Sequence, residues 1–190
     1  YSGLESRSQV DLRSSLDDGK VLKLPVMSSP MDTVTETSMA VAMHSAGGLG
    51  IIHRYNTIEE QSALVGKSYY AGVDNVAAAV GMTGDYMQRS EQLVKAGASI
   101  LCVDVAHGDH VMMRDCLSNL KSNFDAHIMA GNVATLDAFE RLSDWGADSI
   151  RVGIGGGSIC STRIVTGHGI PTLQSVFDIS NTSYDTKIIA

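Results

Sequence analysis

Along this chain, short unbroken apolar runs alternate with longer stretches patterned as helices. The runs lie in "KLPVMSSPMD", "GLGIIHRY", "NVAAAVGM", "ASILCVDVAHG", "AHIMAGNVAT", "DSIRVGIG" and "TKIIA". They are rich in Val, Ile and Ala and are closed by Gly, Ser, Asn or Asp. Runs of this kind predict strands buried on both faces, and such strands pair in parallel. Between them, "TETSMAVAMHSAGG", "DYMQRSEQLVKAGA" and "TLDAFERLSDWGAD" each open near a capping residue and stop at Gly47, Gly97 and Gly146, which predicts helices. The three glycines recur about 50 residues apart, room for two strand-helix units of roughly 25 residues each. Eight such units need about 200 residues, the size of a minimal eightfold α/β barrel.

A doubly wound open sheet is the rival arrangement. Polar residues able to act follow several different strands: Ser28 and Ser29, His53 and Arg54, Asp104 and His107, Asn132, and then a glycine-cysteine loop. A barrel gathers all strand ends into one mouth, whereas an open sheet gathers mainly those near its switch point. The expectation is therefore an α/β protein, a (β/α)8 TIM barrel that is incomplete, with about seven strands present. Seven strands do not close an eightfold barrel. Either the chain is a fragment, or something else covers the open edge.

Composition narrows the class. Of 190 residues, 44% are hydrophobic and 18% charged, with a formal net charge of -7, an ordinary globular balance. That acidity, with a pI near 5.2, speaks against nucleic acid or an anionic membrane as partner. Cys102, Cys116 and Cys160 are odd in number and widely spaced, without zinc-type pairing, which points to a reducing, cytoplasmic setting. No apolar run is long enough to span a membrane, and no signal peptide is visible. The missing initiator Met suggests a trimmed N-terminus.

The richest chemistry lies in "GIGGGSICSTRIVTG", Gly153 to Gly167. Consecutive glycines let backbone amides and carbonyls point inward, where amides cradle a phosphate and carbonyls hold a monovalent cation. The loop is not a Rossmann fingerprint, being too long, and not a P-loop, since no G-K-[ST] follows. Loop amides and the nearby Arg163 are placed to lower the thiol pKa of Cys160, and Thr162 to relay a proton. A small filler in a glycine turn remains the alternative for this cysteine. Cys102, in a strand, and Cys116, in a helical stretch, read as buried fillers. His107 and His110 have a metal-like spacing but lack a third ligand.

Together "PVMSSPMDTVTE", "GGLGIIHR", "AGNVAT" and "RVGIGGGSICSTRIVTGHGIP" resemble the IMP dehydrogenase / GMP reductase family, in order and through essentially the whole chain. The resemblance implies a single catalytic barrel domain over residues 1–190, truncated at both ends, without CBS domains. It implies that Cys160 attacks C2 of a purine nucleoside monophosphate, GMP or IMP, with Thr162 handling protons. Ser28 and Ser158 would bind the phosphate and Met31 would line the base pocket. Asp104, Asn132 and Gly153 would border the dinucleotide, NADPH or NAD. A potassium ion would sit on the carbonyls of Gly155, Gly157 and Cys160. The family also implies a homotetramer.

Three loop positions depart from the family pattern: Gly156 stands for proline, Ser161 for threonine and His168 for a small apolar residue. The family's aspartate-glycine-glycine turn, eighth strand and catalytic flap have no counterpart before Ala190, so the chain alone is expected to be inactive. Direction is divided. "RIVTG" and "DTVTE" resemble the dehydrogenases. Val105, where these usually carry Ser or Thr, resembles the reductases, as do "ESRSQVDL" and the lack of room for a CBS pair. The balance points to GMP reductase, converting GMP and NADPH to IMP, ammonia and NADP. The alternatives are IMP dehydrogenase, converting IMP, NAD and water to XMP and NADH, and a non-catalytic nucleotide-binding fragment. An aldolase-type barrel would need a lysine at a strand end, but Lys23 and Lys187 sit at strand starts.

Overall fold

The computed structural model describes residues 3–17 and 19–190. After a short 3-10 turn at Arg7–Gln9, an antiparallel hairpin forms from β1 (Ser14–Asp17) and β2 (Lys20–Leu22). Strands and helices then alternate: β3 (Met27–Ser28), α1 (Thr37–Ala46), β4 (Leu49–Ile52), α2 (Ile58–Tyr70), β5 (Ala77–Val80) and α3 (Tyr86–Lys95). They continue as β6 (Ile100–Asp104), α4 (Val111–Asn123), β7 (His127–Val133), α5 (Leu136–Asp144) and β8 (Ser149–Val152). A long loop carries the five-residue α6 (Thr162–Thr166), and α7 (Thr172–Ile179) leads into β9 (Lys187–Ile189). Each apolar run of the sequence contains one strand of a seven-stranded parallel sheet.

The strand order from β3 to β9 follows the chain without a reversal. A doubly wound sheet reverses its order at the switch point, so this is the curled sheet of an incomplete (β/α)8 barrel. β3 pairs only with β4 and β9 only with β8 among the described residues.

Alternation along the strands divides two cores. Ile52, Val80, Leu101, Ile128 and Ile150 face the helices, packed with Leu93, Leu117, Phe139 and Leu142. Leu49, Ile51, Ile100, Cys102 and Met129 face inward and meet Leu16 and Leu22 of the hairpin, which plugs the base of the barrel. Each such buried side chain contributes about 1.5–3 kcal/mol relative to exposure. Among the described residues no helix is long and apolar enough to cross a membrane.

Polar contacts fix the plug. Asp17 Oδ2 lies 2.7 Å from His127 Nδ1, and His127 Nε2 lies 2.8 Å from Ser149 Oγ. With Nδ1 donating to the carboxylate, Nε2 accepts from the serine hydroxyl. Lys20 also reaches Asp17, at 3.2 Å. His127 and Ser149 are buried at the first positions of β7 and β8, so the chain of contacts ties hairpin to sheet where the strands begin.

Candidate functional site

The C-terminal ends of the strands form the opposite mouth, where a barrel keeps its chemistry. Asp104 ends β6 and Arg151 lies in β8. Their side chains form an ion pair inside the barrel, each about a fifth exposed at 19% and 20%. Asn132, near the end of β7, donates from Nδ2 to the Val105 carbonyl at 3.0 Å and lies 3.4 Å from Asp104 Oδ1. The close approach of Arg151 depends on Gly131, because a Cβ there would come within 2.7 Å of Arg151 Cβ. Arg54, after β4, donates to the Asp104 carbonyl at 3.3 Å. Ser28, ending β3, accepts from the Thr35 hydroxyl at 2.9 Å. Met31 follows on an exposed turn, 37% accessible.

Ser28, Asn132 and Gly153 share one cavity of about 380 Å³ that runs between β3 and β9, with Arg151 in its wall. Asp104 joins it through its pair with Arg151. A second cavity, about 730 Å³, opens on the other side of the loop after β8. Ala134, Ile154 and Ile170 give it apolar walls, and Thr162, His107 and His168 add polar groups. Both volumes fall in the roughly 300–1,000 Å³ range of small-molecule sites. Neither cavity's lining includes Cys160 or Ser158, which stand on the loop between them. The sequence predicts Ser28, Asp104, Asn132 and Cys160 in a single cavity; Ser28 and Asn132 share one, Thr162 lines the other, and Asp104 and Cys160 line neither.

That loop is anchored at its ends. Ile154 and Ile170 form an antiparallel bridge, with the Ile170 amide donating to the Ile154 carbonyl at 3.0 Å. Gly153 and Gly155 take φ values of 132° and 77°, which side-chain-bearing residues rarely adopt, and so let the chain turn away from β8. The Cys160 amide donates to the Gly157 carbonyl at 3.1 Å, and Ser158 is exposed. Cys160 itself is half-buried. The Thr162 hydroxyl, then the Thr162 amide, and the charge of Arg163 hold its thiol below the ordinary cysteine range. The other two thiols go the opposite way. Burial pushes Cys102 up to about 11 and Cys116 up to about 12. Arg163 Nη1 donates to the carbonyls of both Gly155 and Gly157, the latter at 2.6 Å. Two of the three carbonyls expected to hold potassium therefore already accept from the chain's own cation.

Two features escaped the sequence reading. Arg151 was not singled out within "DSIRVGIG", yet a charged residue in a largely buried strand signals an internal partner. The Asp17–His127–Ser149 chain carries no comparable signal, since 110 residues separate its first two members. His110 caps α4, accepting from the Met112 amide at 3.1 Å.

A family profile described as "IMP dehydrogenase / GMP reductase domain" matches residues 1–190. Among curated proteins, the inosine-5'-monophosphate dehydrogenase of Nitrosopumilus maritimus is 30% identical, with 99% of this chain and 66% of its own length aligned. That of Borreliella burgdorferi is 32% identical over 95% of this chain and 57% of its own length. The Cryptosporidium parvum protein of the same name is 33% identical over 88% and 52%. The chain thus spans between about half and two thirds of these relatives.

Proposed function

The chain belongs to the IMP dehydrogenase / GMP reductase family of oxidoreductases, and from that premise we propose that it forms the larger part of an IMP dehydrogenase catalytic barrel. Cys160 is the nucleophile. Its thiolate adds to C2 of IMP, a hydride leaves C2, and water then cleaves the resulting thioimidate to release XMP and the thiol. NAD, when bound, accepts the hydride. The observation that carries this reading is the contrast among the three thiols: only Cys160 is shifted towards the thiolate and placed outside the core. Thr162, hydrogen-bonded to Cys160, is placed to move a proton during hydrolysis. Ser28 and Ser158 hold the phosphate, and Met31 meets the base. Asp104, Asn132 and Gly153 border the nicotinamide end. Asp104 is held by Arg151, so it offers a fixed carboxylate to sugar hydroxyls.

The relatives are named for a dehydrogenase acting on inosine monophosphate, which favours IMP as substrate, and NAD is proposed with that reaction as the hydride acceptor. Val105 carried the opposite expectation. Its side chain packs against the helix-side core and its backbone bonds to Gly131 and Asn132, so its lack of a hydroxyl gives the lean to GMP reductase no footing. The test is an assay of the intact protein in both directions, with IMP plus NAD and with GMP plus NADPH, alongside intact-mass detection of an adduct on Cys160. NADH and XMP formed from IMP support the dehydrogenase. NADPH consumption with GMP alone reverses the direction, and neither activity nor adduct removes the reading.

A further inference from the structure

The loop after β8 folds its carbonyls around a side chain of its own. Arg163 lies one position inside α6, and its guanidinium turns back over the glycines that precede Cys160. One nitrogen, Nη1, takes the carbonyl oxygens of both Gly155 and Gly157. The stem of the side chain lies against glycine on two sides. A Cβ on Gly169 would stand 3.2 Å from Arg163 Cβ, and one on Gly155 would stand 3.4 Å away. A larger residue at either position would crowd the arginine. Among the described residues no carboxylate pairs with Arg163, so its charge is met by carbonyl oxygens alone, as that of an alkali cation would be. Carbonyl dipoles converging on one point make a site for a single monovalent charge. A guanidinium and a free ion cannot occupy it together.

We propose that Arg163 is the resident cation of this loop, and that a free monovalent cation such as potassium binds the Gly155 and Gly157 carbonyls only by displacing it. The loop then has two arrangements. In one, Arg163 is seated and the run from Gly155 to Cys160 is held by the chain itself. In the other, an ion holds the carbonyls and the guanidinium is released to solvent or to an anionic ligand. The inference does not depend on the proposed reaction, because it concerns which cation the carbonyls hold.

The test uses thallous ion, a potassium mimic that can be followed by its own nuclear resonance, with the intact protein. Arg163→Gln keeps a hydrogen-bonding group but removes the charge, and Arg163→Lys keeps a charge. Charge-assisted hydrogen bonds are strong enough that losing the competitor should tighten thallous binding about tenfold or more in Arg163→Gln. Arg163→Lys should stay near the wild type. Thermal midpoints give a second reading. The wild type should melt alike in potassium chloride and in tetramethylammonium chloride at equal ionic strength, whereas Arg163→Gln should melt lower in tetramethylammonium and recover in potassium. Equal thallous affinity in wild type and Arg163→Gln, equal tightening in Arg163→Lys, or no thallous binding in any of the three would overturn the proposal. A protein inactive on both nucleotides that still shows the tightening would sink the proposed reaction and leave this inference standing.

Discussion

The two ends of the barrel are built on opposite terms. At the base, Leu16 and Leu22 fill the interior and His127 is buried between Asp17 and Ser149, each of its ring nitrogens partnered. At the mouth, the loop from Gly153 to Gly167 contains no fully buried residue, and Ile159, Ile164 and Val165 are about four-fifths exposed at 83%, 78% and 79%. The base turns its apolar side chains into the barrel, and the mouth carries apolar side chains on an exposed loop. A barrel separates stability from chemistry in this way because its strands are common to both ends while its loops are not. Substitutions at the two ends should therefore register on different instruments.

The largest effect is expected at the mouth. Cys160→Ala should lower turnover by about a thousandfold or more. It should leave the melting temperature unchanged and nucleotide affinity within about tenfold, since the phosphate contacts survive. Appreciable turnover by this variant would end the assignment of Cys160 as nucleophile. Next comes the base. Leu22→Ala should cost about 2–4 kcal/mol in chemical denaturation, through lost burial and the cavity left behind. Because Leu22 also lines the cavity shared by Ser28, Asn132 and Gly153, turnover per folded molecule should fall as well, though far less than in Cys160→Ala, and a loss as large as that variant's would mean the two ends are not separable. A smaller effect, about 1–3 kcal/mol, is expected from Asp17→Asn, which weakens the partner of a buried imidazole and the pair with Lys20.

The same network gives the base a pH dependence with two steps. Burial holds His127 below the ordinary histidine range, against the pull of Asp17 and Asp148, with Lys20 adding to the lowering. The folded molecule thus keeps it neutral while the unfolded chain takes up a proton. Its contribution is intact above the unfolded value of about 6.5 and declines as pH falls below it. Asp17 behaves differently. Burial raises its pKa, but hydrogen bonds from His127, Gly19 and Lys20 outweigh this and hold it below 3.8. Its contribution persists above 3.8 and is lost as pH falls through the lower folded value. Denaturation from pH 8 down to about pH 2 should show both steps, and His127→Gln should erase the upper one and, by altering the first of the hydrogen bonds that lower Asp17, change the size of the lower one. An upper step that survives this change belongs to another group. The smallest effect is expected from Lys95→Ala, which breaks an exposed pair with Glu91 on α3 and should change stability by less than about 0.5 kcal/mol.

The strands were legible because residues buried on both faces are mostly apolar, a rule that β4 and β5 obey throughout and that β6 to β8 break only at Asp104, His127, Asn132, Ser149 and Arg151. The stops at Gly47, Gly97 and Gly146 were legible because a helix commonly ends in a left-handed residue, and all three glycines take positive φ. The hairpin was not read. Its strands are three and four residues long, and only Leu16 and Leu22 are buried, so there was no run to see. At the mouth, "SICSTR" announced a reactive thiol and a neighbouring cation. Where Arg163 points was not legible, because the direction of a guanidinium depends on the folded path of the glycines beneath it. Arg151 and Asp104 were each visible, but their pairing arises only when β6 and β8 are brought to either side of β7.

The bridge between Ile154 and Ile170 bears on how such a protein can change over generations. All three positions where the loop departs from the family pattern, Gly156, Ser161 and His168, fall between the two bridging residues. A segment closed at its neck can be rewritten at exposed positions such as Ser161 and His168 with little effect on β8 before it, but not freely at Gly156, where a Cβ would stand 2.5 Å from Thr172 Oγ1 at the start of α7. Selection can therefore try new side chains near Cys160 at the exposed positions while the inherited barrel stays as it was, whereas the glycines packed on Thr172 are held to their size.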